Sequence, residues 1–240
     1  MYRSLSFILL ILLIVFAAIQ ITLPSRDSTH QVFNDSKNVE FESGVRRLRD
    51  GTVEVASLVS MPGVTSDMFR WWFSDYLQTT EHYRMWHPED HVWMGWEHKT
   101  LGKITGSHHL VHEYIGGDLM KLRIQFAWPQ EILGYDPTDE NTVAICARVG
   151  ELESSLNIAE MCHVARNTPS GAELRSRFWL GVISDREATG WQNFLLSLLA
   201  NNPISRQFAV SETEGINLHK HCMEEMSYLA DLLPAIYKED

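Results

Sequence analysis

The sequence predicts an α+β fold in which a curved antiparallel sheet wraps around a long C-terminal helix. Five segments between residues 107 and 184 alternate apolar and polar side chains with the two-residue period of strands. Turn-forming residues separate these segments, for example at 116–118 and 168–171. A helical pattern then occupies about residues 217–237. Because the sheet must bury one face, we expect the last helix to cover it, with a cavity between them.

Composition limits the classes of function. The chain has 240 residues, and 20 Lys+Arg against 31 Asp+Glu give a formal net charge of -11. Length and ordinary apolar content predict one globular domain, and the acidic balance argues against a nucleic-acid partner. The cysteines, Cys146, Cys162 and Cys222, form no C-x-x-C motif. They allow at most one disulfide and do not determine the compartment.

The N-terminal segment differs from the rest of the chain. Arg3 precedes an apolar run over residues 7–23, which predicts a signal anchor or signal peptide over residues 1–24 and a membrane-anchored or secretory location. An uncleaved anchor is favoured, because bulky Ile19 follows Ala17 and Ala18 where a cleavage site would need small residues. A buried N-terminal helix is the alternative, but it would show polar positions at helical spacing. Residues 25–38 are predicted to be a polar linker, and residues 39–240 the domain.

The elements of the domain follow from local patterns. Residues 54–60 predict a strand ended by Pro62 and Gly63, and Thr65 or Ser66 can cap a helix that ends near residue 80. Residues 83–91 are predicted to be a loop. The predicted strands are 107–115, 120–128, 142–149, 157–166 and 173–184, and helices are predicted over 190–199 and 217–237.

The last helix carries a polar pair on its apolar side. His221 and Glu225 are four residues apart, so their Cβ atoms would lie about 5 to 6 Å apart on one face, where both could reach one metal ion. Leucines before and after the pair continue the same stripe; its members are Leu218, His221, Glu225, Tyr228, Leu229 and Leu232. The alternative is a solvated His-Glu ion pair. His219 and Glu224 fall off this stripe and are predicted to lie at the surface.

A second cluster of polar residues lies in the middle of the chain. Seven histidines occur between residues 82 and 112. In the predicted strand 107–115, His109, Val111, Glu113 and Ile115 share one face. If that face is inward, Glu113 needs a partner or a metal ion, because an isolated buried carboxylate is costly. The alternative is that this face is outward and Glu113 is solvated.

His163 shares a strand face with Met161 and Ala165. A histidine among apolar side chains is either a hydrogen-bonded core residue or a base. The spacing leaves both interpretations open.

Four segments in order resemble the 2,4-diacetylphloroglucinol hydrolase family, which includes phloretin hydrolase. They are residues 83–91, the strand containing Glu113, residues 162–171 leading to 175–179, and the helix from His221 through Glu225. The similarity spans about residues 53–234. The resemblance implies a START-like helix-grip fold and a zinc ion held by two histidines and two glutamates. The implied metal ligands are His91, Glu113, His221 and Glu225. The implied catalytic residues are His163, which handles the hydrolytic water, and Tyr83, which contacts the phenolic substrate.

The sequence departs from the family pattern at several positions. The step from His91 to Glu113 is shorter than in the family, so His87 competes with His91 as the first ligand. Met94 and Phe178 stand at two substrate-binding positions where the family has an asparagine and a second tyrosine. Both replacements remove a polar group, so the substrate itself is not determined.

The resemblance implies a metal-dependent hydrolase that cleaves the carbon-carbon bond between an acyl group and a phenolic ring of a small acylated phenol. Zn²⁺ is the expected cofactor, and Fe²⁺ or Mn²⁺ also suit such ligands. One alternative is a membrane-associated START-like binding protein that carries an apolar ligand without catalysis. Another is an iron oxygenase that uses two of the histidines and one carboxylate.

Overall fold

The computed structural model describes residues 24–33 and 41–237. In these residues eight strands form one antiparallel sheet with the order β1-β2-β8-β7-β6-β5-β4-β3. The strands are β1 Gly44–Arg47, β2 Val53–Pro62, β3 His91–Glu97, β4 His108–Ile115, β5 Asp118–Ala127, β6 Thr142–Glu151, β7 Leu156–Thr168 and β8 Gly171–Asp185.

Seven α-helices accompany the sheet in the described ranges. They are α1 Arg26–His30, α2 Ser66–Trp71, α3 Thr80–Trp86, α4 Pro129–Leu133, α5 Gly190–Ala200, α6 Pro203–Ala209 and α7 Glu212–Ile236. The long α7 packs mainly against β1 and β2 and also contacts α3 and β4. The predicted α+β helix-grip architecture is confirmed: the long C-terminal helix lies on the inner face of an antiparallel sheet.

Strand alternation divides the core into two layers. On β7, Met161 and Ala165 belong to the cluster between the sheet and α7, whereas Cys162 and Val164 belong to a cluster on the other face. Side chains of α7 such as Met226 are fully buried in the first cluster. Burial of this apolar surface is the main force that holds α7 against the sheet.

Residues 24–33 cover part of the outer face of the sheet. The Trp179 indole donates to the Thr29 hydroxyl at 2.8 Å, and the Tyr135 hydroxyl donates to the backbone oxygen of His30 at 2.7 Å. Phe33 is buried in the outer cluster. This described part of the predicted polar linker therefore contacts the domain. The predicted boundary at residue 38 lies outside the described residues and stays a prediction.

Cys146 and Cys162 form a disulfide between directly paired positions of β6 and β7. Cys222 on α7 is a free, buried thiol whose sulfur lies 3.2 Å from the Ser57 hydroxyl. The cysteines thus make one disulfide, the largest number that their odd count allows.

The predicted loop over residues 83–91 is wrong, because these residues include the end of α3 and the start of β3. Thr79 caps α3 by accepting a hydrogen bond from the backbone N–H of His82. With seven residues, α3 is too short to show a clear helical period in the sequence. The short strand β1, β3 and the helices α4 and α6 also lack a predicted counterpart.

None of the helices in residues 24–33 and 41–237 is long and apolar enough to cross a membrane. We therefore correct the prediction of a membrane-anchored or secretory location. The apolar run over residues 7–23, on which that prediction was based, lies outside the described residues.

Candidate metal centre and substrate cavity

Four side chains predicted to bind metal meet between the sheet and α7. His91 opens β3 and is paired directly with Glu113 of β4, so both side chains lie on the inner face. His221 and Glu225 lie on the buried face of α7. The Trp86 indole donates to the backbone oxygen of Glu225 at 2.9 Å and thereby joins α3 to α7 beside the cluster. All four side chains are buried.

The distances within this cluster suit one metal ion. His91 Nε2 lies 3.6 Å from Glu225 Oε2 and 3.9 Å from Glu113 Oε2, and His221 Nε2 lies 3.9 Å from Glu225 Oε2. Ligand atoms of His91, Glu113 and His221 all lie within 4.8 Å of one another. Two atoms bound to the same tetrahedral zinc at about 2.0 to 2.2 Å lie about 3.3 to 3.6 Å apart. The three measured His–Glu distances exceed this separation by at most about 0.6 Å.

Hydrogen bonds determine which ring nitrogen carries the proton in the two candidate ligand histidines. His91 Nδ1 lies 2.8 Å from the backbone oxygen of Tyr83, and His221 Nδ1 lies 3.0 Å from Asp90 Oδ2. A carbonyl and an ionised carboxylate only accept, so each Nδ1 carries a proton, and in the neutral ring Nε2 keeps its lone pair. Within the described residues, neither buried Nε2 has a hydrogen-bond partner. Two unpaired nitrogens that face two carboxylates fit a bound cation. Asp90, at the opposite ring nitrogen of His221, would orient the imidazole for such a cation.

The rival ligand His87 has the opposite arrangement. Its Nδ1 accepts a hydrogen bond from the backbone N–H of Asp90 at 3.1 Å. A neutral His87 therefore carries its proton on Nε2, which lies 3.6 Å from Asp90 Oδ2 and 3.9 Å from Glu224 Oε2. A nitrogen that carries a proton does not bind a metal, although this one, like Nε2 of His91, has no hydrogen-bond partner among the described residues. His87, Asp90 and His221 also have ligand atoms within 4.8 Å of one another, but the proton positions favour His91.

We expect His91→Ala to lose the metal ion, because it removes an unpaired Nε2 from the centre of the cluster. His87→Ala is the matched control, and we expect it to keep the metal and lose thermal stability at most. Elemental analysis of both purified variants, with melting temperatures on the same samples, checks this. Metal loss in His87→Ala and retention in His91→Ala would reverse the assignment.

Burial and the neighbouring charged groups together shift the pKa values of the cluster. Burial raises the pKa of Glu225 to about 7, although His221 and His87 oppose the shift. Burial also lowers the pKa of His91 to about 4. Burial by itself would lower the pKa of His221. The negative charges of Glu225, Glu113 and Asp90 outweigh burial, so the His221 pKa is raised. Without a metal ion, the cluster therefore holds protons that a bound cation must displace.

Metal affinity should accordingly fall at acidic pH. Below about pH 7 the metal-free protein keeps a proton on Glu225, so binding must release it. We expect the apparent affinity to drop at least about tenfold for each pH unit below 7. Titration of Zn²⁺ against a competing chelator between about pH 5 and pH 8 measures this slope. The exposed Glu224→Gln is a control that should keep the slope, and a pH-independent affinity of the unmodified chain would contradict the prediction.

A cavity of about 460 Å³ adjoins the cluster between the sheet and α7. Tyr83, Glu113, His163, Phe178, His221 and Glu225 are among the side chains that line it. Met94, which was predicted to contact substrate, is buried in the core and is not one of the described lining residues. Its role in substrate binding stays a prediction.

Tyr83 connects the cavity to the cluster. Its hydroxyl donates to the Glu113 carboxylate, and its ring stacks on His91 with centroids 3.7 Å apart. Burial, together with the charge of Glu113, raises the Tyr83 pKa well above its ordinary value, so the phenol keeps its proton. The hydroxyl oxygen can still accept a hydrogen bond from a ligand.

His163 lies in the wall of the cavity contributed by β7. Its Nδ1 lies 2.7 Å from the Ser176 hydroxyl, and its ring centroid is 5.6 Å from that of Phe178. Burial lowers the His163 pKa to about 4, so the ring is neutral near pH 7 and able to accept a proton. Phe178 presents a ring without a hydroxyl to the same space.

Two residues beside the cluster had no predicted role. Asp90 directly precedes His91 in the chain, but its contact with His221 bridges 131 residues and no local pattern predicts it. His109 lines the cavity, and the strand alternation had placed it on the same face as Glu113 without indicating a function.

The chain is similar to several known proteins. Two 2,4-diacetylphloroglucinol hydrolases, from Pseudomonas sp and Pseudomonas protegens, are each 30% identical over 215 residues, which is 84% of this chain and 72% and 69% of theirs. Phloretin hydrolase of Eubacterium ramulus is 27% identical over 201 residues, covering 80% of this chain and 69% of that protein. Among solved structures, ginseng major latex-like protein 151 from Panax ginseng is 14% identical with a TM-score of 0.38, covering 70% of this chain and 97% of that one.

The family model described as the DAPG hydrolase PhiG domain matches residues 23–238, nearly the whole chain. The match includes every residue of the cluster and the cavity. The resemblance predicted from the four sequence segments is confirmed: the chain belongs to the 2,4-diacetylphloroglucinol hydrolase family.

Proposed function

We propose that this protein hydrolyses the carbon-carbon bond between an acyl group and a phenolic ring, with a divalent metal ion, in the first place Zn²⁺, held by His91, Glu113, His221 and Glu225. The observation that carries this proposal is the pair of buried histidine Nε2 atoms that lack hydrogen-bond partners among the described residues and face two buried carboxylates beside a cavity. The family supplies the reaction class, since the relatives are named as hydrolases of 2,4-diacetylphloroglucinol and phloretin.

The ligand types limit the choice of metal ion. Two imidazole nitrogens and two carboxylate oxygens suit Zn²⁺, and they also suit Fe²⁺ or Mn²⁺. When bound, the ion supplies Lewis-acid polarisation of the acyl carbonyl and lowers the pKa of a water molecule.

Tyr83 orients the substrate in this proposal. Because its hydroxyl proton is engaged by Glu113, its oxygen accepts a hydrogen bond from a phenolic hydroxyl of the ring. This contact would hold the acyl carbon near the cluster, where proximity and orientation contribute to the rate.

His163 moves the proton. Its neutral ring takes a proton from the attacking water, while Ser176 fixes the orientation of the imidazole through Nδ1. The acyl carbon gains the hydroxyl of water, the bond between the acyl carbon and the ring carbon breaks, and the ring carbon gains a proton. The products are a carboxylic acid and the deacylated phenol, so atoms and charges balance.

The full chain tests the proposal through metal content and turnover of 2,4-diacetylphloroglucinol. We expect one ion per chain, release of acetate, loss of turnover on chelation and recovery on addition of Zn²⁺. Saturable binding of the ketone without metal or turnover would instead support the metal-free binding protein. Consumption of oxygen during turnover would indicate an oxygenase.

A further inference from the structure

The cavity has a closed end and an open end. Phe73, Tyr83, Trp86, His109 and Phe126 line one end, and all are buried. At the other end the lining residues Asp118, Ile158, Ala209 and Glu214 are exposed and form a rim. The ligand cluster lies between these ends.

The cavity is deep for a small acyl group. Glu214 at the rim and Glu225 in the cluster are separated by eleven residues of α7, which is about 16 Å along a helix. Its volume of about 460 Å³ falls within the range of sites for drug-sized ligands, about 300 to 1,000 Å³. A ring carrying only an acetyl group would leave the space between cluster and rim to water.

The walls of that space are apolar. We call it the outer chamber, and the side chains that define it are Ile115, Val149, Ile158, Leu180, Ile183, Val210 and Leu218. They come from β4, β6, β7, β8, the segment before α7 and α7 itself. Polar side chains, Asp118, Glu214 and Asn217, occur only at its rim among the described lining residues. Such a chamber binds a hydrocarbon chain, because its burial removes apolar surface from water.

We propose that the outer chamber is an acyl-chain subsite, and that the substrates of this protein are acylphenols whose acyl group carries an apolar chain of several carbons. This inference rests on the proposed function for the direction of binding. The phenolic ring lies at the closed end, the carbonyl carbon beside the cluster, and the chain runs toward the rim.

A series of 2-acylphloroglucinols with acetyl, butanoyl, hexanoyl and octanoyl groups tests the subsite. We expect kcat/KM to rise with chain length, by up to about fourfold for each methylene that becomes buried. Leu180→Trp, which fills the chamber, should reduce the ratio of kcat/KM for the hexanoyl over the acetyl substrate at least about tenfold. Leu119→Trp is the matched control, because Leu119 on β5 is 45% exposed and outside the described lining; it should keep the ratio of the unmodified chain.

The ratio of kcat/KM for the two substrates is measured on one preparation, so a partly unfolded sample lowers both values equally and leaves the ratio unchanged. If Leu180→Trp does not fold, Leu218→Trp replaces it. A flat chain-length profile with the acetyl compound turned over would overturn the subsite and leave the proposed function intact. An unchanged ratio in both tryptophan variants would also overturn it. If no member of the series is turned over, the proposed function fails. In that case the subsite is tested by binding alone, with dissociation constants of the acetyl and hexanoyl compounds measured by tryptophan fluorescence. Tighter binding of the hexanoyl compound supports the subsite, and equal binding of the two compounds overturns it.

A different observation concerns His109 at the closed end. It is 2% exposed, and its Nε2 has no hydrogen-bond partner in the described part of the chain. The ring stacks on Trp96 with centroids 4.5 Å apart and meets Tyr83 edge-on at 5.4 Å. A buried nitrogen without a partner is costly, and a ligand in the cavity that His109 lines would satisfy it.

The surroundings of His109 favour a neutral ring. Burial, with the nearby charges of His91 and Lys99, lowers its pKa to about 3. The paired positions Trp96–His109, Met94–Val111 and His91–Glu113 place His109 on the same inner face as the ligand pair, two rows further along the strands. Neither Met94 nor Phe178 offers a polar atom to the ring of a substrate.

We infer that His109 forms a hydrogen bond with a ring hydroxyl of the bound phenol and so determines specificity for hydroxylated rings. Binding of phloroglucinol and of 1,3,5-trimethylbenzene, which has a similar shape without hydroxyls, tests this by calorimetry and needs no turnover. We expect His109→Phe to weaken phloroglucinol binding about 10- to 100-fold and to leave trimethylbenzene binding unchanged. His109→Gln should restore part of the loss.

The competing interpretation is that His109 is a core residue that does not contact the ligand, and it predicts a different result. His109→Phe would then alter the melting temperature while the two ligands kept their relative affinities. Equal losses for both ligands, or no loss for phloroglucinol, in a folded His109→Phe protein would overturn the inference. Because these probes contain no acyl group, the outcome is separate from that of the proposed function.

Discussion

His221→Ala and Glu225→Ala are each expected to remove the metal ion and abolish hydrolysis, with a loss of turnover of at least about a thousandfold. Each substitution deletes one of the four side chains that we propose as metal ligands, and both side chains lie in the buried cluster. Deletion of His221 also leaves Asp90 without the imidazole that it orients. Elemental analysis and turnover on the same preparation measure both effects.

His219→Ala is the control on the same helix. His219 lies off the buried stripe, and its Nε2 contacts the Ser43 hydroxyl at 2.8 Å, away from the ligand cluster. We expect this variant to keep both metal and turnover. Loss of metal in His219→Ala together with retention in His221→Ala would show that α7 presents a different face to the cavity.

The second large effect is expected at His163. His163→Ala should lower kcat by about 10² to 10⁴ and leave the metal content unchanged, because a base contributes about this factor without binding the ion. Substrate affinity should change much less. Measurement of metal, kcat and melting temperature on one preparation separates this outcome from a loss of folded protein.

The competing interpretation is a hydrogen-bonded core histidine, since His163 is buried and contacts Ser176. That interpretation predicts a lower melting temperature with full activity per folded molecule. His112→Ala provides a matched control, because His112 lies on the same sheet and outside the described lining residues of the cavity; it should keep kcat. A fully active, less stable His163→Ala protein would remove the base from the mechanism and leave the metal site in place.

Periodicity along the chain is sufficient to predict much of this fold. Two-residue alternation placed the strands from β4 to β8, and it put Glu113 on one face with His109 and Val111 and Met161 on one face with His163. The structure shows that both faces are the inner ones. Helical spacing placed His221 and Glu225 together on the buried side of α7. These predictions succeed because the direction of a side chain depends on the local backbone geometry, which neighbouring residues determine.

Local patterns fail where elements are short. The helix α3 and the strand β3 each have seven residues, and their patterns over residues 80–97 do not differ enough from a polar loop. The contact of residues 24–33 with the outer face is likewise absent from any local pattern, since polar composition alone predicts a linker.

The choice between His87 and His91 depends on the tertiary structure. Both are histidines next to the same turn, and sequence spacing cannot separate them. The fold places the Tyr83 carbonyl at His91 Nδ1 and the Asp90 N–H at His87 Nδ1, and these contacts favour a free lone pair on Nε2 of His91 and a proton on Nε2 of His87. Sequence patterns therefore determine which residues share a face of a strand or helix, whereas sheet register and helix packing decide which faces are buried and which residues meet. The physical reason is that the direction of a side chain is a local property, and the convergence of groups 131 residues apart is not.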